Sequence, residues 1–359
     1  MPDSTPLPET MRAWRVHEWG ENPTEALQLD TLPLPQPQPG EVMVRVEGIA
    51  LNLNDLERIN GENMMVRPEL PCTPGMEVMG TIAACGDGVP EDHRGRRVVA
   101  TTRQATGGFA EYACGPATAA FDMPEDIAFP EAAALYFPFH LAWLGLVDRA
   151  ELKAGESVLI HAAAGGAGSA AVQLAKSLGA TVYATCGGAE KVKQVESLGA
   201  DVVIDYTSED FKAIVLEKTA NKGVDVVFDG VGEAVMDDSM ACTGYNGRYL
   251  MMGFASDKRF VDEKFIVPRK VSAGNFRLCG VLLSYANPVM AGAMKQATGW
   301  NFAPDSLGAQ ITAGIVEKVR AGDVKALIGE VVEFDALPEA MTRMRDRGTT
   351  GRVVVRAGD

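Results

Sequence analysis

Up to about residue 115, short apolar runs alternate with charged, Pro-rich or Gly-rich stretches. Met11–Val16 and Leu27–Leu32 are two such runs, and Val42–Val46 alternates with Glu41, Arg45 and Glu47. Period-two alternation around Pro and Gly predicts an antiparallel β region. Val78–Cys85, Arg97–Thr101 and Gly108–Ala113 extend it. Near Pro130 the pattern turns helical, at Pro130–Leu135 and His140–Arg149.

Beyond that point β-branched runs at Ser157–His161, Thr181–Ala184, Val202–Ile204, Val224–Phe228 and Tyr249–Gly253 are separated by helical stretches at Ala170–Leu178, Val192–Leu198 and Phe211–Lys218. Strands alternating with helices mean βαβ units, hence a parallel sheet with helices on both faces. The predicted class is therefore α/β, a doubly wound nucleotide-binding layout joined to a β-rich part. The closing segment predicts a helix at Ile311–Ala321, a strand at Gly329–Glu333, a helix at Leu337–Arg345 and a strand at Arg352–Arg356. It is expected to return to the first domain.

Composition narrows the chemistry. With 33 Lys plus Arg against 48 Asp plus Glu, the net charge of −15 would repel a phosphate backbone, so nucleic acid is not an expected partner. Six cysteines without a CxxC pair read as reduced core thiols. Met1–Thr10 carries no secretory pattern, and the longest apolar stretch, Ala132–Val147, is interrupted by Pro138, His140 and Gly145 and falls short of the ~20 residues that cross a bilayer. A cytoplasmic protein without membrane partners is expected. At roughly 150 residues per domain, the 359 residues make two domains.

The strand ending at His161 runs into Ala162-Ala-Ala-Gly-Gly-Ala-Gly168 and then into a helix, the context a dinucleotide fingerprint requires. Ala164, Gly165, Gly166, Ala167 and Gly168 are the candidate pyrophosphate cradle. Gly165 would let the backbone approach the ligand, Gly168 would let helix and strand pack closely, and N–H groups at the helix start would bond the anion. Ala163 stands where the first glycine is usual. An NAD site commonly has a carboxylate at the end of the second strand, but here the chain reads Ala184-Thr-Cys-Gly-Gly188. With Gly187 in that turn and Lys191 just beyond, NADP is favoured over NAD.

His161–Gly168, with Gln173-Leu-Ala-Lys176 and Gly199-Ala-Asp201, resembles the medium-chain dehydrogenase/reductase superfamily, in its zinc-independent NADPH:quinone oxidoreductase branch. Pro74-Gly-Met-Glu-Val-Met-Gly80, Gly107-Gly-Phe-Ala-Glu-Tyr-Ala113, Asp205-Tyr206 and Gly247-Arg-Tyr-Leu-Met-Met-Gly253 extend the likeness from about Met11 onward. The resemblance implies a GroES-like β-rich catalytic domain (1–136 and 304–359) and a Rossmann NADP-binding domain (137–303), with the active site in the cleft. It also implies cofactor roles for Asn52 near the nicotinamide ribose, for Lys191, Tyr206 and Arg347 at the 2′-phosphate, and for Val231, Gly253 and Phe254 along the nicotinamide half. A homodimer is expected through a sheet edge at Arg277–Leu283.

Zinc-dependent members place a Cys in the segment Asn52-Leu-Asn-Asp55 and a His before the Glu of the Pro-Gly motif, where this chain has Asn52 and Met76. Amide and thioether do not make a catalytic zinc site, and the cysteines of the structural lobe are missing too. No metal is expected. None of the four histidines is assigned a role; His161 reads as structural and His140 as a core residue. Without a Lewis acid, acceptors that delocalise incoming charge fit better: quinones, or α,β-unsaturated carbonyl compounds. Tyr285 is the candidate proton donor, by analogy with enoyl reductases that use a Tyr. An enoyl-thioester reductase and a catalytically silent NADPH-binding sensor or structural protein are the alternatives.

Overall fold

The computed structural model describes residues 6–62, 67–253, 255 and 266–358. The chain divides into two units, one formed by Met1–Tyr136, Ser284–Val316 and Ile328–Asp359, the other by Phe137–Leu283 and Glu317–Leu327. The family resemblance implies a cofactor domain that ends at residue 303, and the compact units divide the chain differently there. Tyr285–Ala286 pairs with Ala303–Pro304, and Tyr285 packs on Phe121, which draws 284–303 into the first unit. Segment 317–327 belongs to the second unit, where the Gln173 amide donates to the Lys325 carbonyl and accepts from its N–H.

The strands among the described residues are, in chain order, β1 (Thr10–Val16), β2 (Leu27–Pro33), β3 (Glu41–Ala50), β4 (Glu77–Cys85), β5 (Arg97–Thr101), β6 (Tyr112–Pro116) and β7 (Ala120–Asp122). There follow β8 (Ser157–Ile160), β9 (Thr181–Cys186), β10 (Val202–Asp205), β11 (Val224–Asp229), β12 (Thr243–Met251) and β13 (Arg277–Gly280). The last are β14 (Tyr285–Ala286), β15 (Ala303–Pro304), β16 (Ile328–Glu333) and β17 (Arg352–Arg356).

In the first unit β1 and β2 pair antiparallel, and a second sheet has the order β16-β17-β3-β4-β5-β7, with β6 also on β3. Alternation along β3 sends Val42, Val44 and Val46 into one core with Ile82, Val98, Phe109 and Val355, while Met43 joins Met11 and Tyr112 on the other face. The chain end does return: β17 lies antiparallel to β3 and parallel to β16. The run at Gly108–Ala113 begins its strand late, at Tyr112, because the N–H groups of Gly107, Gly108 and Phe109 bond the carbonyls of Thr73, Gly75 and Pro74 instead of a neighbouring strand.

The second unit is built on a six-stranded parallel sheet of order β10-β9-β8-β11-β12-β13. Its central strands are buried on both faces, which is why they read as continuous apolar runs. Leu159, Val227 and Tyr249 lie in its core. Chain order reverses between β8 and β11, so the topological switch point falls at their carboxyl ends. Among the described residues no helix is long and apolar enough to cross a membrane.

His140, on the helix Tyr136–Trp143, is 1% exposed, and burial pushes its pKa from 6.5 down to about 3. The unfolded chain therefore takes up this proton first, and stability is lost as pH falls below 6.5. His140→Leu should gain on wild type by about 1.4 kcal/mol per pH unit between roughly pH 6 and pH 4. Urea denaturation at several pH values checks this; parallel pH dependences for the two proteins would contradict it.

Candidate functional site

β8 delivers the chain to the switch point, where Ala162 turns in the left-handed region at φ +52° and the helix Gly166–Ser177 begins with Gly165 as its N-cap. The Gly165 N–H donates to the Ala162 carbonyl at 2.9 Å, closing a tight turn. A Cβ on Gly168 would stand 2.2 Å from the Ala162 oxygen and 2.7 Å from the Ala163 Cα, so only glycine lets the helix lie on this turn. At Gly165 the same test meets nothing closer than 3.3 Å, and its φ of −82° suits any residue. The fold needs Gly168, whereas a Cβ on Gly165 would make one tight contact, with the Ala162 oxygen, that small shifts can relieve. The first-turn N–H groups of the helix have no intrahelical acceptors and are the ordinary donors to an anion placed there.

Toward β9 and β10, Gly187, Tyr206 and Lys191 gather at the strand ends. A Cβ on Gly187 would lie 2.8 Å from the Tyr206 hydroxyl, and Tyr206 is more than half exposed. Lys191, on the helix Ala189–Ser197, bears on the Cys186 thiol, which burial and Asp205 together push up to about 11 against its pull. The sequence named Asp205 only within the family motif Asp205-Tyr206 and gave it no role. Its Oδ1 accepts the Gly188 N–H, the Thr207 N–H and the Thr207 hydroxyl, and these bonds, that of Gly188 first, hold its carboxyl below the usual range. Asp205 thus shapes the turn that carries Gly187 and Gly188. Its register partner Cys186, across β9 and β10, was the missing signal. Arg347, expected at the same phosphate, lies in the first unit after the helix Leu337–Arg345, with φ +57°.

On the other side of the switch point, β11 ends in Asp229, whose Oδ1 accepts the N–H groups of Val231 and Gly232 at 2.8 and 3.0 Å. Gly253 backs directly onto the Gly230 carbonyl, so the turns after β11 and β12 lie together. Phe254 lies outside the described residues.

In the first unit Asn52 stands before the helix Leu53–Asn60 and is 3% exposed. Its Nδ2 donates to the Ala50 carbonyl and to Glu77, its Oδ1 accepts from Arg352 at 2.9 Å, and Arg352 also donates to Glu77 at 2.8 Å. Asp55, fully buried, accepts the N–H groups of Asn52 and Met76. Burial raises its pKa to about 6 in spite of Arg58 and Arg352. The expected ribose contact is thus a member of a buried ionic network that joins positions 52, 77 and 352. Among the described residues no group of three His, Cys, Asp or Glu side chains is placed to hold a metal ion. Tyr285 is buried, its ring edge-on to Phe121 at 5.3 Å, and Phe121 also meets Tyr136.

Glycine loop, switch point and parallel sheet together define the second unit as a dinucleotide-binding domain of the Rossmann class. Two family models match the chain: the alcohol dehydrogenase GroES-like domain over residues 38–125 and the zinc-binding dehydrogenase over residues 166–303. The synaptic vesicle membrane protein VAT-1 homolog of Rattus norvegicus is 31% identical over 90% of this chain and 78% of its own length. The quinone oxidoreductase of Homo sapiens is 29% identical over 96% and 97%. A mycobacterial protein solved in complex with NADPH superposes with a TM-score of 0.80 at 29% identity, over 96% of this chain and 99% of that one. The chain belongs to the medium-chain dehydrogenase/reductase superfamily, in its quinone oxidoreductase-like branch, and is an oxidoreductase by family.

Proposed function

We propose that the protein is a zinc-independent oxidoreductase that transfers hydride from NADPH to a quinone or an α,β-unsaturated carbonyl compound. The observation that carries this reading is the glycine turn at the switch point, flanked at the neighbouring strand ends by Gly187, Lys191 and Tyr206. Bound NADPH would supply the hydride. Residues 164–168 would hold its pyrophosphate, Lys191 and Tyr206 its 2′-phosphate, and Val231 and Gly253 its nicotinamide half. Asn52 supports the nicotinamide ribose in this reading. With Asn52 and Met76 where zinc-dependent members carry ligands, and the Asn52 amide bonded to Glu77 and Arg352, the protein's part is to orient two π systems and exclude water. Tyr285 is the candidate donor of the proton that follows the hydride to an enone.

Loss of NADPH absorbance with a panel of quinones and enones tests the reading. Tight NADPH binding with no turnover on any member would sink the enzyme and leave a dinucleotide sensor. Lys191→Ala should weaken NADPH by about 10- to 100-fold while leaving NADH nearly unchanged, the loss expected for one charge-assisted bond. Equal losses for both, measured by fluorescence titration, would contradict the 2′-phosphate role. The reading includes a cytoplasmic homodimer: β13 is an edge of its sheet, and an edge offers its outer backbone groups to another chain. Sedimentation as a monomer at micromolar concentration would remove that part.

A further inference from the structure

Five buried side chains join the two turns that flank the switch point. Asp229 holds the Val231 and Gly232 N–H groups with Oδ1, and its Oδ2 accepts the phenol hydrogen of Tyr249. The Tyr249 phenol also meets the Ser239 hydroxyl, which stands 2.7 Å from Nε2 of His161. Nδ1 of His161 is 2.9 Å from the Thr185 hydroxyl, and the Thr185 carbonyl accepts the N–H of Ala163, inside the glycine turn. None of the five is more than 2% exposed.

The proton positions along this chain follow from the acceptors. The Tyr249 hydrogen goes to the Asp229 carboxylate, which can only accept, so the Ser239 hydrogen is shared between the Tyr249 oxygen and the Val235 carbonyl 2.7 Å away. Ser239 then accepts from Nε2–H of His161, and Nδ1 accepts from Thr185. A neutral imidazole is required, and burial, which pushes the His161 pKa down to about 3, keeps it so. A polar chain satisfied in this way is stiff, since any member that moves leaves its neighbour unpaired in a place water does not reach.

We propose that Thr185, His161, Ser239, Tyr249 and Asp229 form a positioning relay that sets the Val231–Gly232 turn in register with the glycine turn, so that a dinucleotide laid across the switch point meets both supports already in place. This rests on the dinucleotide reading above. Helix start and switch point put the pyrophosphate at residues 164–168, and the Lys191–Tyr206 side takes the adenosine half, which leaves the Val231 side to the nicotinamide half. None of the five need touch the ligand. Their effect is preorganisation, which reduces what binding must order.

The test compares NADPH with 2′,5′-ADP, a probe that has the adenine half and the 2′-phosphate but no nicotinamide. Tyr249→Phe removes one hydroxyl and nothing else. It should leave the 2′,5′-ADP Kd within about twofold and weaken NADPH about tenfold, the equivalent of one interior hydrogen bond. The fluorescence change of the nicotinamide on binding should diminish with it. Ser239→Ala, which cuts the relay nearer its other end, should give the same split and serves if the first variant does not fold. Parallel losses for both probes, or no loss for either, would overturn the relay. Wild-type protein that binds neither probe would instead overturn the dinucleotide reading, and the relay with it.

Discussion

Arg352→Met should destabilise the protein by about 3–5 kcal/mol, because it leaves buried acidic groups without their cation. Arg352 and Glu77 have side chains 7% and 1% exposed, at 2.8 Å from each other, and Asn52 bonds both. Attraction at that distance offsets the cost of taking two charges out of water only while both are present. Asp55 gives the loss a pH signature. Its pKa is already raised from 3.8 to about 6 by burial, and Arg352 is one of the cations that hold it down. A group raised in the folded state contributes stability that is complete below its unfolded pKa and is lost as pH rises through the folded value. Without Arg352 the folded value moves further up, so the deficit of the variant should be larger at pH 8 than at pH 5. Glu77→Leu combined with Arg352→Met should recover much of the loss, since an apolar pair replaces the ionic one. Urea denaturation at both pH values decides. A single-variant loss below about 1 kcal/mol, the size of an exposed pair, would mean that water reaches these groups.

Gly168→Ala and Gly165→Ala should separate folding from binding at the same turn. The added methyl at 168 would meet backbone atoms of Ala162 and Ala163 at 2.2–2.8 Å, and backbone cannot move aside as a side-chain tip can. The helix must shift off the turn, at a cost of about 1–3 kcal/mol in stability. NADPH binding should fall by about 100-fold or more, since a displaced turn no longer presents its N–H groups together. At 165 the methyl meets one atom, the Ala162 oxygen at a tight 3.3 Å, which a shift of a few tenths of an ångström relieves, so the stability loss should stay below about 1 kcal/mol. Binding should still fall about tenfold or more, because the methyl occupies the side from which the pyrophosphate approaches. Thermal melts with and without NADPH report both quantities. A Gly165→Ala protein that binds NADPH normally would move the pyrophosphate away from this turn.

Much of the second unit was legible from pattern. Phe211–Lys218 is a helix at the expected bounds, and β8, β9, β10 and β11 lie where the β-branched runs are; of these, the inner strands β8, β9 and β11 are mostly buried and so leave a continuous apolar signature. β12 begins earlier than its run, at Thr243, and β13 was anticipated only as an edge segment. In the first unit Arg97–Thr101 and Arg352–Arg356 match their strands, whereas Gly108–Ala113 does not, since a run of glycines serves a loop partner as readily as a sheet. The glycine turn was legible because all its contacts lie within a few residues. The roles of Asp205 and Asp229 were not, although each ends a strand, because their work is to hold backbone N–H groups in turns that alternation does not describe.

By itself the sequence determined the order of elements, the turn that brings a helix start to the end of β8, and the absence of the usual zinc-ligand residue types at positions 52 and 76. These are properties of residue type and short-range spacing, and short-range forces suffice to express them. Only the tertiary structure decided that Asn52, Glu77 and Arg352 share one buried network, that Asp229 is tied through Tyr249, Ser239 and His161 to Thr185, and that segments 284–303 and 317–327 join different units. Those pairings link positions up to 300 residues apart. Nothing in the local pattern encodes them. They arise when the sheets close and each buried polar group must find a partner among whatever the packing brings within reach.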